Sequence, residues 1–269
     1  MCFITIIRIM TINKVLIFTF FFIILCPNVY SGKNIRVVHV FVALCDNVHQ
    51  GIVKVPDLLG NGDDLKNNLY WGAAYGVKTF FKKSPDWQLI SSTKKIKSYI
   101  LERCIFKHRF YNVYLIADAY RGKNIKIGII DFIKASSGLN KEIINSPNLN
   151  LSLKIGGYSN LLVYIGHNGL MDFNIPFYPK KINNNERKTI ILSCLSKSYF
   201  YKIQSLNGAF PILWTTGLMA PEAYTLKSAI DGWILNETPN KIRLRAVKTY
   251  SKYQKLSIRA VKRLFVSGW

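Results

Sequence analysis

The stretch "LLVYIGHNG", Leu161 to Gly169, is an apolar run that halts at a histidine, and "TIILSC", Thr189 to Cys194, is a second one that halts at a cysteine. Both runs are too short and too β-branched for a helix. Each has the unbroken apolar character of a strand buried on both faces. Such strands belong to parallel sheets, because the crossover connections that parallel pairing needs lay helices over the two faces. The pair therefore predicts an α/β fold in which His167 and Cys194 occupy matching strand ends.

Working outward, "IRVVHVFVAL" is another long apolar run and ends at Cys45, Asp46 and Asn47. "YNVYLIAD" stops at Asp118, and "GAFPILWTTG" carries Thr215 near its end. "SPDWQLI" reads as a short strand. "NLYWGAAYGVKTFFKK" has its bulky residues at helical spacing, and "NIKIGIIDFIKASSG" predicts an apolar helix closed by Gly138. Pro221 stands where a helix tolerates proline and opens "PEAYTLKSAIDGWIL", while the tail "KIRLRAVKTYSKYQKLSIRAVKRLF" predicts one or two amphipathic basic helices. The two prolines and the Asn run of "LMDFNIPFYPKKINNNERK" leave no room for a full crossover helix between the His and Cys runs.

Strands alternating with helices predict a three-layer sandwich about a mostly parallel sheet, as a single domain over residues 32–269. In such sheets ligands bind outside the carboxyl ends of the strands. Asp46, Asn47, Asp118, His167, Cys194 and Thr215 are expected along that edge, with Arg121 just past Asp118 as an anion-recognising partner. Asp46, Asn47, Asp118, Arg121 and Thr215 are thus candidate substrate contacts.

A thiol is mostly protonated at neutral pH, and a neighbouring imidazole holds it as the nucleophilic thiolate. Adjacent strands lie about 4.8 Å apart, so residues just past neighbouring ends come within working reach. His167 and Cys194 then form a base and nucleophile, and the backbone N–H groups of Gly169 and Cys194 are candidate oxyanion donors.

A hydrophobic strand ending in His near Gly, followed by one ending in Cys, resembles the caspase, gingipain and legumain group of cysteine peptidases. The resemblance rests on "YIGHNG" and "ILSC". It implies a caspase-like α/β sandwich, His167 as general acid and base, Cys194 as nucleophile, a peptide or protein substrate, and no metal or cofactor in the chemistry. Two other readings stay open. One is a non-catalytic module of the same fold that binds an envelope partner, and the other is a metal-dependent hydrolase using Asp46 and Asp64, with His49 and Asp63 close in sequence.

The amino terminus differs in kind. Lys14 precedes "VLIFTFFFIILC", an uncharged run of signal-peptide length, and Val29-Tyr30-Ser31 reads as the exit, so residues 1–31 are expected to be a signal peptide and the chain periplasmic or secreted. An uncleaved membrane anchor is the alternative, since "MCFITIIRIM" extends the apolar character upstream. Removing the leader leaves Cys45, Cys104 and Cys194, an odd number in an oxidising compartment, so at least one thiol is unpaired. Cys45 and Cys104 have ready places in the core. A formal charge of +23 suits an anionic membrane or envelope surface, and export argues against nucleic acid. The 49% hydrophobic composition supplies enough apolar surface for a large core.

Overall fold

Leu161–Ile165 and Lys188–Leu192 lie side by side as parallel strands in the computed structural model, which describes residues 35–146 and 151–269. Ile165 pairs with Leu192, so His167 and Cys194 stand equally far past the same rung. In chain order the elements are β1 (Arg36–Ala43), α1 (Val77–Lys83), β2 (Trp87–Lys97), β3 (Ile100–His108), β4 (Val113–Tyr120), α2 (Ile125–Ser137), β5 (Glu142–Ser146) and β6 (Leu151–Ile155). They continue as β7 (Leu161–Ile165), β8 (Lys188–Leu192), α3 (Ser196–Asn207), β9 (Phe210–Thr215), α4 (Ala223–Ile234), α5 (Pro239–Gln254), α6 (Ile258–Leu264) and β10 (Phe265–Val266).

The main sheet runs β10, β9, β8, β7, β1, β4, β3, β2. Its middle five strands, β9, β8, β7, β1 and β4, are mutually parallel; β10 and β3 flank them antiparallel, and β2 pairs antiparallel with β3. The chain leaves β1 for β4 on one side and later runs from β7 to β8 and β9 on the other. This reversal puts a crevice at the carboxyl ends near β1 and β7, the place where open α/β sheets bind ligands.

Side-chain alternation gives the sheet two apolar faces. Val38, Val40, Val42, Val163, Ile165, Ile190 and Leu192 pack with α4 and α5 through Leu226, Ile230, Trp233, Ala246 and Tyr250. Phe41, Leu162, Tyr164 and Ile191 face α2 and α3 through Ile129, Phe132, Phe200 and Ile203. The result is the three-layer α/β sandwich that the sequence predicts, and Lys33–Trp269 form one compact unit. Phe132 is fully buried against Phe41, Tyr164 and Phe200, a setting where truncation to Ala costs about 3–5 kcal/mol.

Several expected elements hold in outline and shift in detail. Helix α2 ends on Gly138 at φ +99°, the left-handed cap that glycine adopts without a Cβ penalty. The run expected to be helical from Asn68 keeps only α1, because turns occupy Leu69–Gly76. Helix α4 begins at Ala223 with Glu222 as its cap, leaving Pro221 ahead of it. The tail forms α5 and α6, and the β7–β8 connection holds only a single 3₁₀ turn at Gly169–Met171. Strand β4 runs past Asp118 to Tyr120. The β2–β3 pair is longer than "SPDWQLI" suggested, and its outer strand β2 exposes Lys94, Lys95 and Lys97 around an irregularity in which Lys95 has φ +55°.

The expected leader and its exit at Val29-Tyr30-Ser31 lie outside the described residues. Among the described residues, no helix is long and apolar enough to cross a membrane.

Candidate functional site

The loop after β7 begins at Gly166, whose φ of +142° and close approach to β1 both require glycine: a Cβ there would lie 2.7 Å from the Ala43 carbonyl oxygen. The next residue is His167, with its ring almost wholly enclosed. Its Nε2 is 2.7 Å from Oδ2 of Asp172. The same carboxylate accepts the Gly51 N–H at 3.0 Å, so one side chain ties the loop after β1 to the imidazole. With Nε2–H donating to Asp172, Nδ1 is the nitrogen left to exchange a proton, and it has no partner among the described residues. Asp172 thereby fixes the orientation of the imidazole. It lies within the same loop as His167, yet nothing in the sequence marked it, because its role depends on how the 3₁₀ turn folds back.

Asn168 is fully buried and joins the two strand ends. Its Nδ2 donates to the Cys194 carbonyl at 2.7 Å, and its Oδ1 accepts the Leu170 N–H at 3.2 Å. The Tyr164 hydroxyl donates to the His167 carbonyl at 2.6 Å and fixes the loop from the other face.

Cys194 sits in an abrupt strand-to-helix turn. β8 ends at Leu192, α3 begins at Ser196, and Leu195 between them has φ +51° and ψ 28°, a left-handed conformation that costs a non-glycine residue free energy. Thr215 at the end of β9 holds that turn: its hydroxyl donates to the Ser193 carbonyl and accepts the Ser196 N–H at 3.2 Å. Thr215 is fully buried and holds the turn that carries Cys194, so it is closed to a substrate contact. The Cys194 Sγ, half-buried, accepts the Met219 N–H at 3.4 Å and lies 3.6 Å from the Met219 carbonyl oxygen. His167 and Cys194 line one cavity of about 240 Å³, walled by the loops after β1, β7 and β9.

Of the two expected oxyanion donors, Cys194 keeps an N–H without a partner among the described residues. Gly169 does not, because its N–H donates to the His167 carbonyl at 3.2 Å within the 3₁₀ turn. The Asn168 N–H, one residue earlier, is without a partner among the described residues.

The remaining candidates lie apart from this cavity. Asp46 is buried and shapes its own loop, accepting the Val48 and His49 N–H groups on Oδ1 and meeting His49 Nδ1 with Oδ2. Asn47 clamps the same loop through both backbone polar groups of Val55. Arg121 pairs with Asp63. Asp118 was expected to border the cleft; it lies before the end of β4 with its carboxylate on the α2 face, in a different cavity with His39 and Arg103. A residue that closes an apolar run looks like a strand end, and here the strand continues through it. Asp64 accepts the Lys66 and Asn67 N–H groups, and no group of three or more His, Cys, Asp or Glu able to hold a metal occurs among the described residues.

Cys45 and Cys104 are enclosed in the core, where burial pushes their thiols up to about 11 and about 12. All three described cysteines are unpaired, and only Cys194 is accessible.

No protein-family model, no curated protein and no solved structure matches this chain.

Proposed function

We propose that this chain is a caspase-like cysteine hydrolase acting on peptide or protein substrates through His167 and Cys194. The observation that carries the reading is the convergence of an accessible thiol and a carboxylate-oriented imidazole on one cavity, from equivalent positions past adjacent strands.

The chemistry follows from those groups. His167 Nδ1 takes the Cys194 thiol proton, and Sγ adds to the substrate carbonyl carbon. The oxyanion so formed is met by the N–H groups of Cys194 and Asn168. His167 then returns its proton to the leaving amine as the carbon–nitrogen bond breaks, leaving a thioester. Water, deprotonated by His167, adds to the thioester and displaces the thiolate, which recovers the proton. Asp172 keeps the ring in one tautomer and stabilises the imidazolium between these steps. No metal or cofactor is needed for this sequence.

The experiment is competitive alkylation of the native protein with iodoacetamide at mildly acidic pH, with each cysteine quantified by mass spectrometry. Cys194 should be modified first, because Cys45 and Cys104 are buried and held as thiols. His167→Ala should remove that lead. Equal rates at the three cysteines, or a Cys194 rate indifferent to His167→Ala, would leave a binding module of the same fold as the better account.

The composition of the leader supports a place of action outside the cytoplasm, and the charge of +23 supports contact with an anionic envelope surface. Recovery of a mature chain beginning near Gly32 from an exported fraction tests the first. An intact Met1 in the cytosol contradicts it.

A further inference from the structure

We infer that the cavity beside Cys194 selects an uncharged, apolar side chain on the acyl residue of the substrate, the residue whose carbonyl Sγ attacks. The inference rests on the hydrolase reading above and names its substrate class.

The lining carries the argument. Apart from His167 and Cys194 themselves, the cavity is walled by Ile52, Val53, Tyr70, Met171, Leu218, Met219 and Pro221, together with Gly51 and Gly166. No Asp, Glu, Lys or Arg is among them. Tyr70 brings one hydroxyl, which burial keeps uncharged, so it supplies no ion-pair partner. Asp172, the carboxylate beside His167, is committed to the imidazole and to the Gly51 N–H. A charged side chain entering here would shed water and find no partner, whereas an aliphatic or aromatic one would lose nothing.

A second observation points the same way. Val53, Met171 and Leu218 come from three different loops, and all are exposed, Val53 at 91% and Leu218 at 72% of their possible surface. Large apolar side chains gathered at the mouth of a cavity are unfavourable in water and become favourable when a ligand covers them. The acyl residue is the part of a substrate that stays bonded to Sγ in the thioester, so a cavity continuous with Sγ receives its side chain.

The test compares peptidyl acyloxymethyl ketones that differ only in the residue next to the ketone, namely Leu, Phe, Asp or Lys, with iodoacetamide as a probe that needs no subsite. The measured quantity is the inactivation rate at Cys194. The Leu and Phe ketones should react about tenfold or more faster than the Asp and Lys ketones. In Leu218→Lys the Leu-to-Asp rate ratio should fall, since the new ammonium supplies the missing partner. An Asp or Lys ketone that reacts as fast as the Leu ketone overturns the inference. So does a Leu-to-Asp ratio unmoved in Leu218→Lys, or a Cys194 that reacts preferentially with iodoacetamide and with none of the ketones. If iodoacetamide itself shows no preference for Cys194, the hydrolase reading fails first and the subsite falls with it.

Discussion

Two of the molecule's His–Asp pairs, His39 with Asp118 and His167 with Asp172, differ in one nitrogen. His39 on β1 donates Nε2–H to Asp118 at 3.0 Å, much as His167 does to Asp172 at 2.7 Å. The second nitrogen of His39 accepts the Gly156 N–H at 3.2 Å, while that of His167 has no partner among the described residues. Asp118 is fully buried and also receives Nε and Nη2 of Arg103 at 2.6 and 2.7 Å, and Arg103 reaches on to Glu142. The cavity beside this cluster, about 410 Å³, is larger than the one at Cys194. Size and charge would favour it as the site. The difference teaches that chemistry requires a group with an open valence for the proton, and the Asp118 cluster has satisfied all of its own.

The sharpest way to break this comparison is to remove each histidine. His167→Ala should lower the rate of Cys194 alkylation by the Leu ketone by about 10²–10⁴-fold, the usual worth of a positioned acid–base group, with the thermal midpoint nearly unchanged. His39→Ala should leave that rate within a few fold when measured on folded protein.

Arg103→Met strikes the other cluster. It strands a buried carboxylate, and breaking one half of a buried pair costs about 3–5 kcal/mol, read as a lowered urea midpoint. If Arg103→Met instead silences Cys194 in fully folded protein, the two clusters are not independent.

Acid separates them again. Burial opposes ionisation of Asp118, yet the hydrogen bonds from Arg103 and His39 outweigh it and bring its carboxyl down to about 2. A folded-state value below the unfolded one means that the stabilisation is complete above about pH 4 and is lost as pH falls toward 2, roughly 2 kcal/mol in all. Urea midpoints between pH 5 and 2 should fall along that course in the parent protein and more shallowly in Asp118→Asn. The smallest effect should come from Asp172→Asn, which keeps the shape but weakens the hold on the imidazolium. A loss of about tenfold in ketone rate is expected, with a shifted pH profile as the sign of a positioning role.

The five parallel strands were legible because each is predominantly apolar along its length, which is what burial on both faces selects. Of the β2–β3 hairpin only the opening of β2, at "SPDWQLI", was. Strand β3 reads "ILERCIFKH", and its Glu102 and Arg103 look like surface charges, although Glu102 is fully buried under Trp71, Lys78 and Ser92. A charge inside a strand hides that strand from any hydrophobic pattern, since its partners come from distant segments. Asp118 misled for the same reason in reverse. Of the site, His167 and Cys194 could be found from strand ends alone, whereas Asp172 and the Asn168 clamp depend on loop geometry that no periodicity encodes.

The outer strand β2 bears on how copies of this molecule meet one another. An open sheet edge is a template onto which another chain can add a strand, and the lysines at 94, 95 and 97 with the local irregularity in the ladder make this edge a poor one. The opposite edge is the two-residue β10, too short to template anything. Polymerisation by strand addition is thus obstructed at both ends of the sheet.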